Sequence, residues 1–256
     1  MKVKLKIAAL LLFLVSLGVW AWLFATMRET HYTFFPQGPH SVYVLDDKAL
    51  GGTSASDVAV SDSAISINVN VRSGVAYPAI GAGLNLNSWN NRPVGLFDFS
   101  KYDTLEVSAA TDRMQSISLR ILTDDPVYTQ NGARATLRPL VVKVPAARSV
   151  ATVKVPLTDF RTAVWWLAAM GLDEDDGFTY LHRACALEVV NGDGIMRGIP
   201  DGIEVKSNRA WGVNRNFENA MFAVLAVLVI VFVLAELKFF GAFCKKDSTK
   251  SERKHV

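Results

Sequence analysis

The residues of this sequence best suited to recognition chemistry are flat aromatics interspersed with planar polar groups. Trp89, Trp165, Trp166, Tyr77 and Tyr128 offer π-faces; Arg120, Asp124, Asn85 and Asn87 offer forked or planar hydrogen-bonding groups. A π-face stacks on the apolar C–H face of a pyranose, and planar polar groups engage vicinal hydroxyls, so the chemistry in view is sugar binding. The same aromatics also pack, and both uses stay open for each of them: Trp165 or Trp166 either stacks on a ligand or closes the bottom of the domain. Arg120 alternates with Leu119 and Ile121, so on a strand it points to the face opposite theirs. There it either meets a ligand or pairs with Glu106 on a neighbouring strand.

Catalytic patterns are missing. The sequence has no G-x-S-x-G, no P-loop and no G-x-G-x-x-G ahead of a helix. A glycosidase needs two opposed carboxylates, and no spacing among the acids picks out a pair. The expectation is a protein without catalysis. His31, His40 and His182 are scattered, with no HxxxH or CxxC, which argues against zinc. The acidic run Asp173-Glu174-Asp175-Asp176 lacks an EF-hand pattern. Two Cys in 256 residues exclude a disulfide framework. Cys185, in an apolar run, reads as a small hydrophobe; Cys244 reads as a plain or acylated thiol.

Short β-rich runs must position these groups. Residues 64–71 alternate, with Ile65, Ile67, Val69 and Val71 on one face and Ser66, Asn68 and Asn70 on the other, the pattern of a half-buried strand. Further strands are expected over 41–45, 105–109, 117–121, 137–144, 151–155, 187–190 and 202–207, with one or two helical turns over 162–170. Asn191-Gly192-Asp193-Gly194 reads as a hairpin turn. Many short strands at this spacing predict a mostly β fold, a sandwich or jelly roll, over residues 41–212.

The two ends hold the apolar excess. Ile7–Met27 is 21 residues without a charge, long enough to cross a bilayer. A retained anchor is expected over a cleaved signal peptide, because the run is long and no small-x-small site follows it. Residues 219–240 form the second expected span, with Glu236 at its edge beside Lys238. Segments 28–40 and 213–218 read as linkers, 1–6 as a cytoplasmic N-terminus and 241–256 as a cytoplasmic basic tail. Three lysines precede the first span, and the region from Arg28 to Glu218 holds 18 Lys+Arg against 21 Asp+Glu. Positive-inside then puts both termini in the cytoplasm and the middle region outside, in the periplasm of a Gram-negative cell. The overall charge of +3 thus comes from the membrane flanks, and nucleic acid is not an expected partner.

Three motifs occur in order. Leu45-Asp46-Asp47 leads into Gly51-Gly52-Thr53-Ser54; Asp98-Phe99-Ser100-Lys101-Tyr102-Asp103-Thr104-Leu105 reads as a capped turn closed by Ser100 and Asp103, entering a core strand; Val155-Pro156-Leu157-Thr158-Asp159-Phe160 precedes Trp165-Trp166. Together they resemble the galactose-binding-like jelly rolls of carbohydrate-binding modules and of the complex I intermediate-associated protein 30 family. The resemblance covers most of residues 41–212. It implies a jelly-roll sandwich, here set between the two expected transmembrane helices. It also implies that the face bearing Arg120 can be a concave ligand surface. Such domains often hold a structural Ca²⁺, for which Asp46, Asp47 and Glu204 have oxygens of the right type; no other cofactor is implied. The ligand-binding candidates are therefore Trp89, Arg120, Asp124, Tyr128, Trp165 and Trp166. The expected role is that of an inner-membrane sensor or accessory subunit. It would bind a glycan, another small polar ligand or a membrane protein partner. A scaffold within an envelope-polysaccharide export complex and a periplasmic glycan hydrolase are the alternatives.

Overall fold

The computed structural model describes residues 2–252 except 77, 90, 91, 94, 132 and 174–176, and side chains outside 2–6, 88–93 and 239–252. In chain order the elements are α1 (Lys2–Met27), β1 (Glu29–Phe35), β2 (Ser41–Leu45), β3 (Ala55–Val60), β4 (Ile65–Asn70), β5 (Gly81–Asn85), β6 (Ser88–Trp89), β7 (Arg92–Pro93), β8 (Thr104–Thr111), β9 (Ser116–Thr123), β10 (Arg138–Pro145), β11 (Ala151–Pro156), β12 (Arg161–Thr162), α2 (Val164–Met170), β13 (Ala184–Asn191), β14 (Asp201–Val213) and α3 (Arg215–Glu252). They form two compact units: His31–Gly212, and the two chain ends.

His31–Gly212 is a β-sandwich of two antiparallel six-stranded sheets. One runs β11-β8-β14-β4-β3, with β1 also on β14; the other runs β12-β10-β9-β13-β5-β2. Alternation builds the core between them. Ile65, Ile67 and Val69 of β4 are buried while Ser66 and Asn68 are exposed, and they meet Leu119 and Ile121 of β9 and Leu187 and Val189 of β13 in one apolar cluster. β13 is central in its sheet and buried along nearly its whole length, which is why it reads as a continuous apolar run.

Four local readings change. The segment 28–40 contains β1, and Phe34 and Phe35 sit in the core at 0% and 5% exposure. Its polar, proline-flanked sequence hides a strand whose two phenylalanines join the main apolar core. The segment 213–218 is no linker either, since β14 reaches Val213 and α3 begins at Arg215. Residues 191–194 do not close a hairpin: β13 and β14 belong to different sheets, so the turn carries the chain across the sandwich. The turn at 98–103 is capped by Asp98, whose Oδ1 accepts from the Ser100 amide at 3.0 Å and the Ser100 hydroxyl at 2.5 Å. Phe99 and Leu105 are buried beside it, with Tyr102 packed against the core.

In the other unit, α1 and α3 are each long and apolar enough to cross a membrane. Phe13 stacks on Phe232 at 4.2 Å, and the Trp20 indole N–H donates to the Met221 carbonyl at 2.7 Å. Trp20 thus contacts the second helix through its polar edge.

Candidate ligand-binding face

The outer face of the sheet β12-β10-β9-β13-β5-β2 carries a transverse row of six residues, one per strand. Strand register pairs Tyr43 with Gly83, Gly83 with Glu188, Glu188 with Arg120, Arg120 with Val141 and Val141 with Arg161. Cross-strand partners point to the same side, so the six side-chain positions lie in line over about 24 Å. Alternation fixes the side: Leu119 and Ile121 face the core, which turns Arg120 outward.

Each position has a distinct part. Gly83 is the floor: a Cβ there would overlap the Tyr43 ring, so the bare backbone lets the phenol lie across β5. The Tyr43 hydroxyl donates to Glu188 Oε1 at 2.8 Å. Arg134, on the one-turn 3₁₀ helix Arg134–Thr136, donates through Nη2 to the same oxygen. Its guanidinium also stacks on Tyr43, 4.8 Å from the ring centroid. Glu188 is only 1% exposed under this cover. Burial and the Glu188 charge push the Tyr43 phenol far up, so it stays a donor at all ordinary pH. Burial works against the Arg134 charge, but Glu188 and Tyr43 outweigh it and raise its pKa.

Arg120 is held differently. It is partly buried and makes no hydrogen bond to the described residues, and its Nε is fully shielded from solvent. Burial lowers its pKa, with Glu188 opposing. Two covered areas flank it. On one side Tyr43 packs against Leu122, Leu137, Cys185 and Ala186. On the other, Val141 packs against the buried cluster of Ala163, Trp166 and Leu167. Beyond Val141, Arg161 donates to the Thr158 and Phe160 carbonyls.

The sequence candidates divide. Arg120 is on the face. Its alternative partner Glu106 is not beside it: β8 belongs to the other sheet, where Glu106 binds Lys154 and Arg209. Trp166 is a packing residue, 1% exposed, with Tyr128 edge-on to it at 5.8 Å and the Arg138 guanidinium 4.8 Å from its ring. Trp165 is 59% exposed on α2, which begins two residues after β12, so it remains available as an edge platform. Asp124 is bound by Arg183, through an ion pair and a bond from Arg183 Nε to the Asp124 carbonyl at 2.9 Å. Asn85 ends β5 in register with Ser41 and Ala186, and the Asn87 amide donates to the Cys185 carbonyl. Trp89 lies on β6, but its side chain, like Tyr77 and residues 174–176, falls outside the described residues.

The Ca²⁺ candidates do not converge. Asp46 pairs with Lys48 and Glu204 with Lys206. The Asp47 Oδ1 accepts from the Ser54 amide at 2.9 Å, so this buried acid ties the loop before β3 to itself. Among the described residues, no three His, Cys, Asp or Glu side chains form a group that could hold a metal.

Tyr43, Gly83, Arg134, Glu188 and Arg161 were not among the sequence candidates. Glu188 carried a signal: a single acid inside the apolar run Ala184–Val190 is a buried charge in need of partners. A groove of about 720 Å³, which shares Arg161 with the row, also passes Tyr102 and Asp103. A cleft of about 150 Å³ beside it holds Trp211, Glu106 and Lys154.

No family model matches the chain, and no curated protein matches it. Several solved structures do. A family 11 carbohydrate-binding module from Clostridium thermocellum, in complex with a β-1,3-1,4-mixed-linked tetrasaccharide, is 12% identical with a TM-score of 0.46, covering 72% of this chain and 95% of that one. A family 30 carbohydrate-binding module of a C. thermocellum cellulosomal cellulase is 14% identical with a TM-score of 0.43, covering 71% and 96%. A low-affinity xylan-binding module from Roseburia intestinalis is 8% identical with a TM-score of 0.36, covering 73% and 97%. The likeness is one of strand arrangement.

Proposed function

We propose that this chain is a membrane-anchored binding protein whose sandwich takes a glycan on the row from Tyr43 to Arg161. The observation that carries the reading is Arg120, a guanidinium in the middle of that row whose side chain spends no hydrogen bond on the described residues. A guanidinium on a strand offers several N–H donors to the hydroxyls of a sugar. Trp165 at the edge supplies an exposed π-face. The reading includes no catalysis. Glu188 is held by Tyr43 and Arg134, and Asp124 and Asp125 are held by Arg183 and Arg138, which suits recognition better than proton transfer.

In this reading α1 and α3 span the inner membrane, both termini are cytoplasmic and the sandwich is periplasmic. The basic flanks support that orientation. The chain then serves as a sensor or accessory subunit and passes its signal to a partner in or under the membrane.

Two measurements test this. The full chain in nanodiscs is applied to a glycan array, as wild type and with Arg120→Met and Trp165→Ala; binding weakened by these changes supports the reading. Absence of any glycan binding, together with co-purification of a membrane partner, replaces it with the scaffold alternative, and turnover of a bound glycan replaces it with the hydrolase. Protease added to intact spheroplasts is expected to digest the sandwich and spare both termini; a sandwich that survives until lysis overturns the orientation.

A further inference from the structure

Four of the acids described on or beside this face have their own cation. Glu188 binds Arg134, Asp124 binds Arg183, Asp125 binds Arg138 and Asp193 binds Lys143. Arg161 spends its donors on backbone carbonyls. Arg120 forms no ion pair with any described residue. It lies across from Glu188, but the Glu188 Oε1 already accepts from Tyr43 and Arg134. The Arg120 Nε–H is shielded from solvent with no acceptor among the described residues, and an unpaired buried donor carries a desolvation cost that a ligand acceptor would relieve. The group that repays it best is a planar oxyanion, whose two oxygens match two parallel N–H groups of the fork.

We infer that the glycan bound on this row is acidic, with the carboxylate of a uronic acid docked on Arg120. This deepens the proposed function and rests on it. Beside Arg120, Val141, which packs against the cluster around Trp166, offers an apolar contact to ring C–H groups.

The test uses the full chain in nanodiscs of uncharged lipid. Trimers of galacturonate, glucuronate and mannuronate are each compared with their methyl esters, which keep the ring and lose the charge. At least one free acid is expected to bind about tenfold or more tighter than its ester, the value of a hydrogen-bonded charge. Arg120→Met is expected to abolish that preference, and Arg120→Lys to keep part of it, since charge remains while the fork is lost. Equal binding of acid and ester overturns the inference and leaves glycan binding standing. So does an acid preference that survives Arg120→Met, or binding of neutral glycans only. Binding of no glycan at all removes both. The acid–ester comparison is made on the wild type, so it decides even where a variant fails to fold.

Discussion

The Tyr43 ring lies across the backbone of Gly83, its in-register partner on β5, and this contact lets the phenol reach Glu188. Gly83→Ala is expected to lift the ring, break the Tyr43–Glu188 bond and cost about 1–3 kcal/mol as an overpacking change. A lower urea midpoint at unchanged slope would register it. Tyr43→Phe keeps the ring and loses only the bond, so its cost should be smaller.

Arg138 and Asp125 form an ion pair in which both side chains are 1% exposed. Arg138 also donates to the Phe178 carbonyl at 2.7 Å, and Asp125 accepts from the Val127 amide at 2.9 Å. Removing one partner strands a buried charge, so Arg138→Met or Asp125→Ala alone should each cost about 3–5 kcal/mol. The double variant should lose clearly less than the two single losses added together, a coupling that a double-mutant cycle measures.

Adjacent tryptophans should behave oppositely. Trp166→Ala empties a site that is 1% exposed and is expected to cost about 3–5 kcal/mol. Trp165→Ala, at 59% exposure, should change unfolding stability by no more than about 0.5 kcal/mol. Comparison of their thermal unfolding midpoints distinguishes packing from platform.

Phe34 is fully buried in β1. Phe34→Ala should therefore destabilise the sandwich by about 3–5 kcal/mol, as a core truncation does. A change at His31, exposed on the same strand, should leave it unaltered within about 0.5 kcal/mol. Equal, negligible effects would mean that the segment contributes nothing to the core.

Burial pushes the Cys185 thiol from an ordinary 9.0 up to about 11. The folded state thus holds its proton where the unfolded chain has lost it. Stability should be insensitive to this group below pH 9 and fall as pH rises from 9 to about 11, because only the unfolded chain ionises there. At pH 8, in a Cys244→Ser background, iodoacetamide should modify the folded chain slowly and the urea-unfolded chain fast. Fast labelling of the folded chain would contradict the burial.

The sequence alone determined what depends on local periodicity. Two-residue alternation marked β4, β8 and β9, and it sent Arg120 to the face opposite Leu119 and Ile121 before any partner strand was known. Uncharged runs marked two helices long and apolar enough to cross a membrane. Pairing across the sheets was decided by tertiary structure. Glu106 and Arg120 both alternate outward, yet they lie on different sheets, and Glu188 and Tyr43 reach one another across 145 residues of sequence. β1 was hidden because its buried phenylalanines stand between polar residues and a proline, where no period is long enough to register. Periodicity fixes which way a side chain faces; which side chain it then meets depends on strand order, and that is settled only when the chain closes around its core.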